Sequence, residues 1–301
     1  MPASKTVADG SASPRPKSRG LLAWQHRADL RRCAWIPARP SAVRDDALPY
    51  AIGGHRVDAS GFPTCHPDPF PRAAEMADAL PYIRGPADFA AAFAVPRETV
   101  EKLETYAESL RMWQRAVNLV APSTLEDVWH RHFTDCAQLI NHAPNAEIWV
   151  DLGSGAGFPG LVIAIILANH ENHLVHLIES NSRKCAFLSE VARKTGAPVK
   201  VHEGRIEDIA RGGRIGPADV VTSRALAPLN LLLQLAGGFW AERTLGLFLK
   251  GQGVRQEIDE ALRQHQFEYD CASSRTSGEG MIVEVRNLTP NTVGEIGKLI
   301  S

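Results

Sequence analysis

The residues best placed to do chemistry are the acid and glycines of Glu147-Ile148-Trp149-Val150-Asp151-Leu152-Gly153-Ser154-Gly155-Ala156-Gly157-Phe158-Pro159-Gly160, which continues as the apolar Leu161-Val162-Ile163-Ala164-Ile165. The apolar run predicts a strand, the glycines a tight turn, and the second run a helix opening at about Phe158. Glycines at 153, 155 and 157 allow positive φ and close approach of a ligand to the backbone, while the first N–H groups of the helix are free to face it. This is a cofactor cradle. Gly155, Gly157 and Gly160 also satisfy G-x-G-x-x-G, the dinucleotide fingerprint. Asp151 decides between cofactors: a carboxylate ahead of the first glycine repels a pyrophosphate but holds the ammonium of a methionine moiety, directly or through water. S-adenosylmethionine is therefore the expected cofactor. A second apolar strand, Leu174 to Ile178, ends in Glu179, placed to accept a ribose diol in either cofactor.

The elements that position these groups alternate. After the glycine turn come a helix over Ser182 to Thr195, a strand over Val199 to His202, a short helix over Ile206 to Ala210 and a strand over Asp219 to Thr222. A helix over Leu229 to Ala236 and a strand over Thr244 to Leu249 follow. Alternation of this kind builds a mostly parallel sheet covered on both faces. Phe267 to Ala272 and Met281 to Arg286 flank a Ser/Gly-rich turn and predict a hairpin. An antiparallel last strand on a Rossmann-like doubly wound sheet is the α/β arrangement of class I S-adenosylmethionine-dependent methyltransferases, and it disfavours a nicotinamide oxidoreductase. The domain reading is a helical N-terminal cap over residues 76–145 and the Rossmann-like methyltransferase domain over 146–301.

In the cap, Val100, Leu103, Ala107, Leu110 and Trp113 or Gln114 recur at helical spacing, with Glu98, Glu101, Lys102, Glu104 and Glu108 outside the stripe. Ser123-x-x-Glu126 has the form of a capping box ahead of a second helix carrying Leu125, Val128, Trp129, His132 and Phe133. His130, Arg131 and His132 are expected on its basic face, with Arg111 and Arg115 ending the preceding helix. Trp113 and Trp129 are expected as core anchors.

Residues 1–75 are rich in Pro, Arg, Ser and Ala without apolar period. They are expected to be either a disordered extension or upstream sequence ahead of a natural start at Met76. Asp9, Asp29, Asp45, Asp46, Asp58 and Asp68 argue against an organellar targeting peptide. The formal net charge of −1 over 301 residues does not announce a nucleic-acid binder,. The 5 cysteines are widely spaced and include no C-x-x-C pair, so neither a metal nor a disulfide framework is expected, and a cytoplasmic setting is. No apolar run reaches the roughly 20 residues that span a membrane.

With these pieces in hand the chain resembles the RsmG (GidB) family of bacterial methyltransferases, from about Val100 to Arg286. The distinctive pieces are Trp113-x-x-x-x-Asn118-Leu119, Arg131-His132-Phe133-x-Asp135, Asp151 through Gly160, Ser223-Arg224-Ala225 and Leu249-Lys250-Gly251. The resemblance implies methylation of N7 of a guanine in the decoding-region loop of 16S ribosomal RNA in the small subunit. It also implies that Gly153 and Phe158 line the cofactor pocket, that Ile206 and Glu207 reach the adenine, and that Arg224 borders cofactor and substrate.

Guanine N7 carries a lone pair and no proton, so its methylation needs no general base. Arg224 and Lys250 are the expected catalytic pair, holding phosphate or the guanine O6 edge and orienting the base. The alternative is a structural role, Arg224 pairing with Asp135 or Glu207. Phosphate contacts are expected from Arg111, Arg115, Arg131 and His132 and from Arg183 and Lys184, with Arg193 and Lys194 further along that helix. Phe158 is a further candidate to stack a base. A monomer is expected. The competing functional readings are a methyltransferase with a non-RNA acceptor and a non-catalytic ribosome-assembly factor.

Overall fold

The structure is a computed structural model in which residues 80–289 are described. The expected extension over 1–75, and residues 76–79 of the cap, lie outside the described residues, as does the end of the chain after Thr289.

The middle of the sheet follows from apolar runs broken at glycine or polar turns, while its two outer strands, Val199–Glu203 and Glu268–Ser273, are mixed in character. Its strands are β1 (Ile148–Leu152), β2 (Leu174–Glu179), β3 (Val199–Glu203), β4 (Val220–Arg224), β5 (Leu245–Lys250), β6 (Glu268–Ser273) and β7 (Met281–Arg286). They form a 7-stranded sheet in the order β3-β2-β1-β4-β5-β7-β6. The first five strands in the chain run parallel, and β7 pairs antiparallel with both β5 and β6. Strand order reverses between β1 and β4, and in open α/β sheets ligands sit outside the carboxyl ends of the strands at such a switch point. The carboxyl ends here are Leu152 and Arg224.

The cap has α1 (Pro86–Phe93) and α2 (Arg97–Gln114). The apolar stripe of α2 is buried at Val100, Leu103, Tyr106, Ala107 and Leu110. The second cap helix departs from expectation. Pro122–Thr124 is a 3-10 turn without a side-chain cap, closed by Leu125 N–H on the Pro122 carbonyl, so Ser123 and Glu126 form no capping box. The next helical stretch, Val128–Thr134, is π-wound and runs into the short α3 (Asp135–Ala137) and a 3-10 turn.

Around the sheet lie α4 (Gly160–Ile166), α5 (Ser182–Thr195), α6 (Ile206–Arg211), α7 (Leu229–Ala236) and α8 (Val254–Leu262). Helix α4 is apolar on all sides because it is buried on all sides, between the sheet and the cap,. The Asn181 side chain caps α5 by accepting from the Arg183 and Lys184 N–H groups, and Gly196 closes it in the left-handed region,. On the opposite face α7 and α8 pack on Val150, Val221, Phe248 and Val283. No helix among the described residues is long and apolar enough to cross a membrane.

Candidate active site

The glycine turn sits at the switch point, with φ of +66°, +56° and +94° at Gly153, Gly155 and Gly157. A side chain on Gly157 would meet the Tyr106 hydroxyl at 2.7 Å, and one on Gly160 would meet Leu177 at 2.5 Å and Asp151 at 2.8 Å. Gly155 differs, since the nearest atom to a β-carbon there is a backbone oxygen at 3.8 Å. The open side of the turn is therefore at Gly155.

The helix opens later than the sequence indicates. Gly157 and Phe158 both donate their N–H groups to the Ser154 carbonyl, and regular α4 begins at Gly160. Those two N–H groups close the turn and do not face a ligand. The cap holds the turn from outside: the Tyr106 hydroxyl, wholly buried, donates to the Ala156 carbonyl.

The acids behave differently from one another. Glu179 folds back on the turn, accepting from Gly155 N–H at 2.9 Å and Asn181 N–H at 2.8 Å. Asp151 is fully buried; its Oδ2 accepts from Gly160 N–H at 3.1 Å and its Oδ1 has no partner. Burial pushes its carboxyl up to about 7, against the opposing effect of bonds from Ser154 and Gly160,. An orphaned buried acceptor beside an open glycine cradle fits the ammonium of S-adenosylmethionine, the cofactor that Asp151 suggested. Ile206 and Glu207 open α6 next to the end of β3.

Arg224 ends β4 and is held on three sides. Its Nη1 donates to His132 Nδ1 at 2.9 Å, its Nη2 donates to the Arg131 carbonyl at 2.9 Å, and its Nε lies 3.4 Å from Asp135 Oδ2. Asp135 in turn accepts through Oδ1 from Gln138 at 3.0 Å, Ser274 at 3.1 Å and Thr276 at 3.0 Å, which fastens the hairpin loop to the cap. The sequence alternative of an Arg224–Asp135 pair is present; among the described residues no bond joins Arg224 to Glu207.

His132 does not sit on a basic surface. It is 7% exposed and stacked on Phe158, and His130 is 8% exposed with Nε2 at 3.1 Å from the Thr276 carbonyl. The helix turns both histidines inward because each finds a polar partner there, which the residue type alone does not reveal. Since Nδ1 of His132 accepts from Arg224, Nε2 carries the proton and donates to Thr124 Oγ1 at 2.9 Å,. Burial, then the charges of Arg224 and Arg131, push His132 down to about 3. Phe158 is likewise interior, packed among Tyr106, His132 and Phe133. Trp129 is a core residue, as expected, and Trp113 sets its edge on Phe187.

Lys250 is also committed. Its side chain is 7% exposed, and Nζ donates to the Ala227 carbonyl at 2.6 Å and to Glu257 Oε2 at 2.7 Å. It fastens the loop after β4 to α8.

Of the remaining cations, Arg111, Arg115, Arg131 and Arg183 are exposed and Lys184 is half-buried. Trp113 meets Phe187 and Lys194 Nζ lies 3.4 Å from Ser109 Oγ, so α2 and α5 pack antiparallel. That sets the end of α2, with Arg115, toward the first turn of α5, where Arg183 and Lys184 lie, and leaves Arg111 about a turn further back. Arg131 is exposed on the π-helix.

A cavity of about 920 Å³ opens beyond the ends of β4 and β5, bounded by Arg224, Lys250, Glu257, Asp135, Tyr82 and the hairpin loop. The sequence reading missed Tyr106, Tyr82 and Glu257. Tyr106 falls three residues after Leu103 in the apolar stripe, and Glu257 lies on a helix whose buried face is only Val254, Ile258 and Ala261.

A seven-stranded sheet of this order, with the glycine cradle at its switch point and a cavity beside it, defines a class I methyltransferase fold,. Residues 99–284 match the family model of GidB, rRNA small subunit methyltransferase G. The chain belongs to this family.

Relatives named ribosomal RNA small subunit methyltransferase G include that of Parvibaculum lavamentivorans, 47% identical over 66% of this chain and 88% of its own. Those of Bradyrhizobium sp. and Rhizobium meliloti are 48% and 43% identical, each over 66% of this chain and 90% and 93% of their own. An O-methyltransferase of Bacillus cereus in complex with SAH is similar at a TM-score of 0.45 and 15% identity, over 61% of this chain and 91% of that one.

Proposed function

We propose that this chain methylates N7 of a guanine in 16S ribosomal RNA of the small ribosomal subunit, using S-adenosylmethionine, as a cytoplasmic monomer. When bound, that cofactor supplies a methyl group on a sulfonium; the N7 lone pair takes it as the S–C electrons return to sulfur, and no proton moves. Asp151 would meet the cofactor's ammonium, Glu179 its ribose, Gly155 its close face, with Gly153 and Gly157 shaping the turn on either side, and Ile206 and Glu207 its adenine.

One observation carries the reading: a guanidinium, Arg224, is held by His132, the Arg131 carbonyl and Asp135 in the cavity beside the glycine turn. His132, buried with both ring nitrogens bonded, is committed to holding Arg224, and an acceptor atom that brings its own lone pair and sheds no proton needs no base. Guanine N7 is such an atom. Arg224 orients the base. A guanidinium carries five N–H bonds, and the restraints on Arg224 fix its plane at the cavity mouth while leaving N–H bonds for the guanine O6 edge or a phosphate. Lys250 acts through the loop it fastens. Catalysis then rests on alignment and exclusion of water. Duplex RNA hides N7 in its deep groove, so the target is a loop or an opened site. Arg111, Arg115, Arg131 and Arg183 supply exposed charge for its phosphates, with the half-buried Lys184 beside Arg183.

The test is transfer of labelled methyl to small-subunit particles and to protein-free 16S RNA, with the modified nucleoside identified by mass. N7-methylguanosine is expected. Label in a different nucleoside, or none in RNA despite cofactor binding, overturns the reading. Arg224→Ala is expected to lower turnover on the order of 100-fold with cofactor affinity little changed.

A further inference from the structure

Methylation at N7 leaves the opposite edge of guanine, N1–H and the N2 amine, free to be read. That edge presents only donors, so a site selecting guanine needs an acceptor with a lone pair to spare. Four carboxylates border the cavity: Asp127, Asp135, Glu257 and Glu279. Asp135 is filled by its bonds to Gln138, Ser274 and Thr276 and by Arg224. Asp127 accepts from the Tyr82 hydroxyl, and Glu279 is exposed at the tip of the hairpin loop.

Glu257 is arranged differently. Its Oε2 accepts from Leu229 N–H at 2.9 Å and Lys250 Nζ at 2.7 Å, which fixes the carboxylate in place, whereas Oε1 has no partner among the described residues. The side chain is 30% exposed and lines the cavity. Lys250 balances its charge, and its Nζ is committed to Glu257 and the Ala227 carbonyl.

We infer that Glu257 is the specificity-determining residue for guanine, its Oε1 accepting from N1–H and the N2 amine while Arg224, which lines the same cavity, holds the O6 edge or a phosphate. This rests on the guanine-N7 reading above. The N7-methylated ring carries positive charge, so the carboxylate's attraction to it grows along the reaction. Adenine and cytosine offer no matching pair of donors, so neither satisfies the Glu257 acceptor.

The experiment compares transfer to 16S RNA carrying guanosine or inosine at the methylated position. Inosine keeps N7, O6 and N1–H and lacks only the N2 amine. For the wild type, kcat/KM on inosine is expected to fall about 10-fold or more, as for loss of a hydrogen bond to a charged group. In Glu257→Gln the amide oxygen can still serve Leu229 and Lys250, but its NH2 opposes the guanine donors. Turnover of guanosine then falls and the guanosine-to-inosine ratio collapses to about 2 or less, since the remaining discrimination has no acceptor.

A wild-type ratio near one, or a full wild-type ratio retained in Glu257→Gln, overturns the assignment. Cofactor affinity and Tm report the fold of the variant. Should it be lost, Glu257→Asp, which withdraws the carboxylate by one methylene, carries the same comparison and is expected to shrink the ratio. Absence of label from the wild type on both RNAs overturns the methylation reading itself, a separate outcome from an unchanged ratio.

Discussion

His132 lies flat on Phe158, with ring centroids 4.7 Å apart and planes 9° from parallel. The stack joins the π-helix of the cap to the glycine turn, and the imidazole passes the join on to Arg224 through Nδ1. The glycine turn and Arg224 are thus held by one interior histidine, whose Nδ1 accepts only while the ring is neutral,.

Neutrality has a consequence for acid stability. The unfolded chain protonates this histidine near pH 6.5 and the folded chain only near pH 3. Its contribution is therefore present above about pH 6.5 and lost as pH falls, amounting to about 2 kcal/mol by pH 5. His173 and His176, pushed down to about 4 by burial, act in the same direction. Thermal melts of the wild type between pH 7.5 and 5 are expected to show a steep loss of Tm. His132→Gln should start lower and fall less steeply, and a slope equal to the wild type's would contradict the assignment.

Tyr106 offers a second handle on the turn. Its hydroxyl bonds the Ala156 carbonyl in a fully buried setting, so Tyr106→Phe leaves that carbonyl unsatisfied at a cost of about 1–3 kcal/mol. Part of the loss is expected as a lower Tm. The rest is expected as weaker cofactor binding, about 5-fold in Kd for 1 kcal/mol, because the turn is no longer pinned. Calorimetric titration with S-adenosylmethionine measures it, and an unaltered Kd would show the bond to be purely structural.

Two glycines of the motif should separate stability from binding. Gly160→Ala drives a methyl into Leu177 and Asp151, and overpacking of that kind costs about 1–3 kcal/mol. Gly155→Ala meets no side chain; its positive φ costs about 1–2 kcal/mol, but the methyl occupies the open side of the cradle. Gly160→Ala is expected to show the larger fall in Tm and Gly155→Ala the larger fall in cofactor affinity. Melting and titration of both variants check this, and the reverse ranking would place the cofactor elsewhere.

The middle of the sheet was legible because β1, β2, β4 and β5 are apolar runs that stop at a glycine or a charge, and Met281–Arg286 sits where the hairpin pattern puts it. Glu257 escaped because α8 buries only Val254, Ile258 and Ala261 among charged neighbours, too thin a stripe to announce a helix. The π winding of Val128–Thr134 was invisible for a different reason: it shifts the hydrogen-bond register, and with it the facing of His130 and His132, without altering composition,. Arg224 was named from a motif. Its restraints come from Arg131, His132 and Asp135, all more than 80 positions away in the chain, and only folding brings them together.

Asp151 carries the last prediction, and its sign runs opposite to that of His132. Its folded-state value is raised to about 7, so its contribution to stability is present below the unfolded value near 4 and is lost as pH rises through about 7. A cation placed beside Oδ1 reverses the preference by favouring the carboxylate. Cofactor affinity is therefore expected to rise from pH 5.5 to 7.5, with part of a proton released on binding at the lower end. Titrations in two buffers of different ionisation enthalpy measure that release directly. Asp151→Asn, which cannot ionise, should bind about 10-fold more weakly at pH 7.5 for the loss of one charge-assisted bond and show neither the rise nor the release. A wild-type affinity flat across this range, with no buffer dependence, would mean that the ammonium is held by some other group.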